Sequence, residues 1–373
     1  MLNIAIVGCG KIADSHALQI QRIKGCRIVA VCDREELMAK QFAERFRVQR
    51  YFSDLAELLR QAGPDVVHIT TPPQGHFSIG KQCLEHGCHV YVEKPFTIDT
   101  REAEELLRLA EQKGRKITAG HDDQFRHAAR RMRDLVRRGY LGGPPVHMES
   151  YYCYELGGSS YAKALLGDKQ HWVRRLPGGL LHNIISHGIA RIAEFLTSDM
   201  PEVIAYGFVS PLLRKMGEEG IVDELRVIIC EEERATAYFT FSSQMRPSLH
   251  QFRVYGPRNG LLLDQDNETL IKLRGHRYKS YLEQFVPPIV FARQYVRNLA
   301  ANMRSFLAGD FHPKSGMKYL IESFYDSIRD PSVPLPISHR EILLTSRIMD
   351  AIFEQVYGCA EPSRRVCDPA ATT

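Results

Sequence analysis

Asn3-Ile4-Ala5-Ile6-Val7-Gly8-Cys9-Gly10-Lys11-Ile12-Ala13 opens the chain as an apolar strand that runs straight into a GxGxxA turn. Strand, glycine turn and helix start in that order are how a dinucleotide-binding Rossmann unit begins. Gly8 permits the tight turn, Gly10 lets backbone approach a pyrophosphate, and Ala13 allows close packing of helix on strand. Lys11 and Ile12 then fall in the first helical turn, whose N–H groups aim at the phosphates. The next apolar stretch, Arg27-Ile28-Val29-Ala30-Val31-Cys32-Asp33, ends in an acid 25 residues after Gly8, the spacing of a ribose-binding carboxylate. A carboxylate there accepts bonds from the adenosine ribose and repels a 2′-phosphate, which favours NAD over NADP. Arg34 leaves NADP open, because its guanidinium can either stack on adenine or pair with a 2′-phosphate.

Strand and helix signals keep alternating beyond Asp33. Asp65-Val66-Val67-His68-Ile69-Thr70 ends in Thr71-Pro72-Pro73, and His89-Val90-Tyr91-Val92 ends in Glu93-Lys94-Pro95. Both ends fall at the carboxyl edge of a parallel sheet, where ligands bind in open α/β folds. Asp99 and Glu102 stand in capping-box spacing before a helix, Lys116 to Gly120 reads as one more strand, and a first domain is expected to close near residue 122. A second domain is expected over 123–360, with 361–373 a loose tail. Its strand-like segments (146–154, 202–209, 225–230, 234–241, 251–255 and 260–263) alternate apolar and polar residues, as in a mainly antiparallel sheet with one covered face. The pattern over 278–309 is helical, with an interruption expected at Pro287-Pro288. The fold class is therefore an α/β Rossmann domain followed by an α+β domain on a large open sheet.

Composition narrows the class. At 373 residues, with 44% hydrophobic and 25% charged residues, the chain has the make-up of an ordinary two-domain globular enzyme. No apolar run approaches the length that spans a bilayer and no signal-peptide layout precedes the first strand, so a cytoplasmic protein without a membrane partner is expected. The formal net charge of +5 does not call for nucleic acid. Nine single cysteines without a CxxC pair read as reduced thiols, and no zinc site is expected.

Taken together, Gly8-Cys9-Gly10-Lys11-Ile12-Ala13, Val31-Cys32-Asp33, Thr71-Pro72-Pro73-Gln74-Gly75-His76, Val92-Glu93-Lys94-Pro95 and Pro177-Gly178-Gly179-Leu180-Leu181-His182-Asn183-Ile184-Ile185-Ser186-His187 resemble the glucose-fructose oxidoreductase, inositol dehydrogenase and rhizopine-catabolism family, Gfo/Idh/MocA. The resemblance covers residues 3–122 best and thins toward the C-terminus. It implies an NAD(P)-dependent oxidoreductase acting on a secondary hydroxyl of a sugar, cyclitol or nucleotide-sugar, assembled as a homodimer or homotetramer. Some relatives use bound NAD for elimination or glycosidic cleavage without net redox change, and a yeast galactose-pathway repressor that resembles the family only binds dinucleotide and protein partners.

The resemblance also assigns residues. It places Lys94 beside nicotinamide and substrate, and chemistry agrees: alcohol oxidation needs a base, and a lysine crowded against a cationic ring loses its proton more easily. Glu93 orients cofactor or backbone, Thr71, Pro72 and His76 belong to the cofactor loop, and Pro95 follows a cis peptide bond. His187 matches the histidine that ends an Asp-x-x-x-His pattern, with Asn183 in place of the acid, so a neutral imidazole without a carboxylate neighbour is expected. Trp172 and Arg174 match a Trp-Arg pair of the family and are expected to line the substrate cavity with Arg126, and Arg126, Arg130 and Arg174 suit a diphosphate or carboxylate. Tyr152, Tyr154 and Tyr161 form an aromatic cluster that suits a sugar ring, with Tyr154 a candidate substrate contact, although strand core is the more conservative reading. Gly120-His121-Asp122-Asp123-Gln124-Phe125-Arg126 replaces the usual Arg-Phe signature at the domain junction. Its His121, Asp122 and Asp123 leave a substrate contact open, and the two acids, a close pair at a junction, are read as holding the hinge rather than a metal.

Overall fold

The computed structural model describes residues 1–156, 160–275, 278–312 and 314–358, with backbone only for 160–163. The expected tail at 361–373 and the side chain of Tyr161 lie outside the described residues.

Six strands form a parallel sheet in the order β3-β2-β1-β4-β5-β6: β1 Leu2–Val7, β2 Cys26–Cys32, β3 Tyr51–Phe52, β4 Val66–Ile69, β5 His89–Val92 and β6 Ile117–Ala119. The order reverses between β1 and β4, which opens a crevice at their carboxyl ends. Helices α1 (Lys11–Ile20), α2 (Glu36–Phe46), α3 (Leu55–Ala62), α4 (His76–Glu85) and α5 (Thr100–Gln112) cross between the strands. Strands β4 and β5 are apolar on both faces because helices cover both, and Ile4, Ile6, Val67 and Val90 are fully buried. Asp99 caps α5 by accepting from the Glu102 N–H at 2.7 Å.

A short connection and α6 (His127–Arg137) lead to the second sheet, ordered β13-β12-β11-β7-β10-β9-β8. Its strands are β7 His147–Cys153, β8 Glu202–Phe208, β9 Glu224–Glu231, β10 Ala235–Ser242, β11 Leu249–Tyr255, β12 Asn259–Asp264 and β13 Thr269–Arg274. Only the β7–β10 pair is parallel. Helices α7 (Ser160–Gly167), α8 (Gly179–Ile184), α9 (Ser186–Ala193) and α10 (Pro211–Lys215) fall between β7 and β9, and α9 packs on the inner face of the sheet. The outer face is open and exposes Ile204, Tyr206, Ile228 and Tyr238.

Three long helices end the described chain: α11 (Leu282–Leu307), α12 (Ser315–Arg329) and α13 (His339–Tyr357). Contrary to the expected interruption, α11 runs unbroken through Pro287 and Pro288. Both prolines lie in its second turn, so the lost N–H groups free only carbonyls near the helix start. The chain after residue 314 also returns to the parallel sheet: Met317, Leu320, Phe324, Tyr325 and Ile342 complete its core. The two cores are thus not consecutive in sequence.

Candidate active site

The glycine turn is built as its sequence requires. Gly8 has φ +95°, and a Cβ there would stand 2.7 Å from the Thr71 amide nitrogen. A Cβ on Gly10 would meet nothing within 4 Å, so that glycine borders open space. Gly10 also begins α1 without any side-chain cap, leaving its first N–H groups free. The Thr71 hydroxyl beside them is buried without a partner. Free helix N–H groups, an open glycine and an orphaned hydroxyl fit a dinucleotide pyrophosphate in chemistry and position. Asp33 ends β2 with its carboxylate accepting from Cys9 N–H at 2.7 Å and Glu35 N–H at 3.0 Å, while Arg34 is exposed. His76 does not face the crevice. It is fully buried, with Nε2 2.9 Å from the Thr71 carbonyl and Nδ1 2.9 Å from that of Pro95, and so ties the loops after β4 and β5 together.

Beyond β5 the Lys94–Pro95 peptide is cis. Lys94 Nζ donates to the Asn183 carbonyl at 2.8 Å and lies 3.5 Å from its Oδ1. Asn183 is in the last turn of α8, where carbonyls lack helical partners. Burial pulls the Lys94 ammonium below the ordinary lysine range, with Glu93 and Asp122 opposing. Burial would raise the Glu93 carboxyl, but hydrogen bonding and charge from His16, with Lys94 adding to it, hold it at about 2. Glu93 also accepts from the Lys94 N–H at 3.1 Å, which sets the backbone that carries the lysine.

Glu93 ends a buried chain that the sequence does not announce. His16 Nε2 donates to Glu93 Oε1 at 2.7 Å, His16 Nδ1 lies 2.8 Å from His68 Nδ1, and His68 Nε2 lies 2.7 Å from the Tyr325 hydroxyl. These residues come from α1, β4 and α12, so only the folded chain joins them.

His187 departs from the expected environment. Its ring sits on α9, across a break at Ile185 from Asn183, and Asp123 Oδ2 stands 3.8 Å from its Nδ1. The histidine therefore has a carboxylate neighbour, supplied by the turn after β6 instead of by the residue four positions earlier. Burial still pushes the imidazole down to about 4, with Asp123 opposing and Lys94 assisting. It is neutral near pH 7 because it is buried, not because an acid is missing. Tyr152 stacks on the ring at 5.8 Å and His121 meets it edge-on at 6.1 Å. Both His121 nitrogens and His187 Nδ1 are buried without hydrogen-bond partners. Asp122 is pushed up by burial and by Asp123, while Asp123 is held down, against burial, by His187, Arg191 and Arg126. Ligand atoms of Asp122, Asp123 and His187 come within 4.8 Å of one another, so the two acids and the histidine form one cluster.

The expected substrate arginines are engaged elsewhere. Arg126 pairs with Glu268 at 2.5 Å, Arg174 with Glu218 at 2.7 Å, and Arg130 lies over the Tyr319 ring at 3.9 Å. Arg191, which no local sequence signal marks, is buried near Asp123, donates to Gln265 at 2.6 Å and lies 5.5 Å from the Tyr152 ring centre. Trp172 is partly buried and accepts from Gln74 through its carbonyl at 3.1 Å, which joins the cofactor loop to the second domain. Tyr154, one residue past the end of β7, has its ring 6.1 Å from that of Tyr152 and 5.6 Å from that of His250.

Two outcomes follow from these groups. Asp123→Asn is expected to lower turnover roughly tenfold and to move the acid limb of the pH–rate profile, because Asp123 acts through His187; an unchanged profile would detach the two residues. Burial also lowers His121 to about 3 and His182 to about 4. A histidine with a depressed folded pKa gains its proton mainly on unfolding, so stability falls as pH drops from about 6.5 toward 4. The loss at pH near 5 is expected to be on the order of a few kcal/mol, read from urea midpoints against pH near 7.

Residues 2–121 match the sequence model of an oxidoreductase family described by its NAD-binding Rossmann fold. The D-glucoside 3-dehydrogenase of Escherichia coli is 31% identical over 142 residues, 38% of this chain and 40% of its own length. The myo-inositol 2-dehydrogenase of Thermotoga maritima is 21% identical over 319 residues, covering 84% of this chain and 91% of its own. Among solved structures, the UDP-N-acetylglucosamine 3-dehydrogenase of Acidithiobacillus ferrooxidans superposes with a TM-score of 0.71 at 19% identity, over 95% of this chain and 97% of that one. No described helix is long and apolar enough to cross a membrane.

Proposed function

We propose that this chain, which belongs to the Gfo/Idh/MocA oxidoreductases, oxidises a secondary hydroxyl of a sugar, cyclitol or nucleotide-sugar with NAD, through Lys94 as base. The observation that carries the reading is the meeting of Lys94 Nζ with Asn183, close to the His187–Asp123 pair, at the carboxyl edge of the parallel sheet beside the open glycine turn. Residues Gly8 to Ile12, Asp33, Thr71, Pro72 and Glu93 hold the dinucleotide, which when bound supplies the hydride acceptor. Lys94, with its proton affinity lowered, takes the hydroxyl proton as the C–H bond breaks. Neutral His187 and the Asn183 amide orient the hydroxyl, and Tyr152 and Tyr154 offer ring faces to a polyol. Relatives named for glucosides, inositol and a UDP-sugar support a polyhydroxylated substrate. The engaged state of Arg126, Arg130 and Arg174 favours a substrate without a diphosphate. Residues 1–122 bind the cofactor and the second sheet with its helices forms the substrate domain, whose open face pairs copies of the chain.

The test is calorimetric titration of charcoal-stripped protein with NAD and with NADP, followed by NADH release on glycosides, inositols and UDP-sugars. Tight NAD binding and NADH release on one class are expected. Product without net NADH would replace oxidation by elimination, and binding without turnover on any class would replace it by a regulatory role.

A further inference from the structure

Helix α11 is amphipathic in the inverted sense. Its polar residues face the protein: Asn298 is buried, with Oδ1 accepting from the Leu270 N–H at 3.1 Å and Nδ2 donating to the Leu270 carbonyl at 3.0 Å. One turn earlier Gln294 does the same for Lys272, accepting from its N–H at 2.7 Å and donating to its carbonyl at 3.1 Å. These two amides pair the free edge of β13 as a further strand would, and so fix the helix against the sheet. The opposite face is apolar and open. Nine large apolar side chains between Leu282 and Leu307 are more than half exposed, among them Phe285 at 64%, Val296 at 66% and Phe306 at 68%. No other described element exposes apolar surface on this scale, and a stripe of this length on a soluble face marks a contact.

The charge beside the stripe identifies the contact. At about 100° per residue, Arg293, Arg297 and Arg304 fall within a sector about 40° wide along one flank of the stripe. On that flank, Arg293 and Arg297 join Arg131, Lys272 and Arg274 in lining a groove of about 590 Å³ between α6, β13 and α11, where Asp134 is the one acid. Among the described residues, none of Lys272, Arg274, Arg293, Arg297 and Arg304 is paired with a carboxylate. A second copy of the chain meeting this stripe antiparallel, about a two-fold axis perpendicular to the helix, would bring arginines against arginines. An anionic lipid surface meets both halves at once, accepting the apolar residues below its headgroups and the guanidinium groups among its phosphates.

We propose that α11 seats the protein on an anionic membrane surface, lying in the interface with its apolar stripe inserted and the arginine flank and groove on the headgroups. Such a seat differs from spanning, which the helix is not apolar enough to do. It is independent of the reaction proposed above, because no residue of the stripe or groove belongs to that site.

Cosedimentation of the full chain with vesicles tests it. The protein is expected to pellet with phosphatidylcholine vesicles containing about one-third phosphatidylglycerol, to stay in solution with phosphatidylcholine alone, and to be released by salt. Leu299→Glu with Met303→Glu is expected to weaken binding more than about thirtyfold with thermal unfolding unchanged. Arg293→Ala with Arg297→Ala is expected to weaken it at least about tenfold and to flatten the salt dependence. Absence of binding to the anionic vesicles, or equal binding by the double-glutamate variant, overturns the proposal. So does a lipid-free oligomer that the double-glutamate variant dissociates while neither protein binds vesicles, since the stripe would then be a contact between copies.

Discussion

Lys94→Ala is expected to lower turnover about a thousandfold while leaving dinucleotide affinity within about threefold. The asymmetry comes from where the side chain points. Its ammonium reaches across to Asn183 at the floor of the second domain, whereas the glycine turn, Asp33 and Thr71 lie at the ends of other strands. The lysine therefore contributes to the chemical step more than to cofactor binding. The same variant predicts a change of pH profile. Burial lowers the wild-type lysine below its ordinary range, so oxidation rises with pH through that lowered value as the amine becomes free to accept a proton. In the alanine variant this limb disappears, and what remains follows hydroxide. Stopped-flow hydride transfer with a reactive substrate separates the chemical step from product release. Survival of most of the rate, with its pH limb intact, would move the base to another residue, His187 first.

The residues that could be read from the sequence are those whose signals are local. A buried parallel strand ending in a turn is a short apolar run followed by glycine, proline or an acid, and β1, β2, β4 and β5 all take that form. Gly8, Asp33, Glu93 and Lys94 lie at those ends, so the carboxyl edge of the sheet is legible in the sequence alone. The carboxylate beside His187 was not, because Asp123 arrives from a turn 64 residues away and nothing near His187 marks it. His16 and His68 stayed hidden for the same reason, each looking like an ordinary member of its helix or strand until α12 brings Tyr325 to them. Arg126 and Arg130, at the start of α6, invite an anionic substrate when read in the sequence. Folded, Arg126 and Arg133 meet Glu268 and Glu194, Arg131 bonds Asn298, and little of that charge is left for substrate. Prolines in the second turn of α11 suggested a break that a helix tolerates so near its start.

Asp33→Ala is expected to weaken NAD about a hundredfold and NADP about tenfold or less. Two separate losses make up that difference. The carboxylate braces the turn by accepting from the Cys9 and Glu35 N–H groups, and alanine leaves the buried Cys9 N–H without a partner. This part falls on both coenzymes, since each needs the same turn for its pyrophosphate. Each carboxylate oxygen keeps a further lone pair for the ribose hydroxyls, and charge-assisted bonds of that kind are the stronger sort. Loss of the bond to the 2′-hydroxyl falls on NAD alone. NADP meets the opposite change, because removing the carboxylate relieves its repulsion of a 2′-phosphate, and exposed Arg34 is then free to pair with that group. The discriminating quantity is therefore the ratio of the two affinities, which is expected to move toward NADP by roughly tenfold, measured by calorimetry on stripped protein. Equal losses would leave Asp33 as a brace of the glycine turn, and the preference for NAD would have to arise elsewhere in the crevice. Asp33→Asn separates the two contributions. Its Oδ1 can still accept one backbone N–H while the negative charge is gone, so it should retain more affinity for both coenzymes than alanine does and still shift the ratio toward NADP.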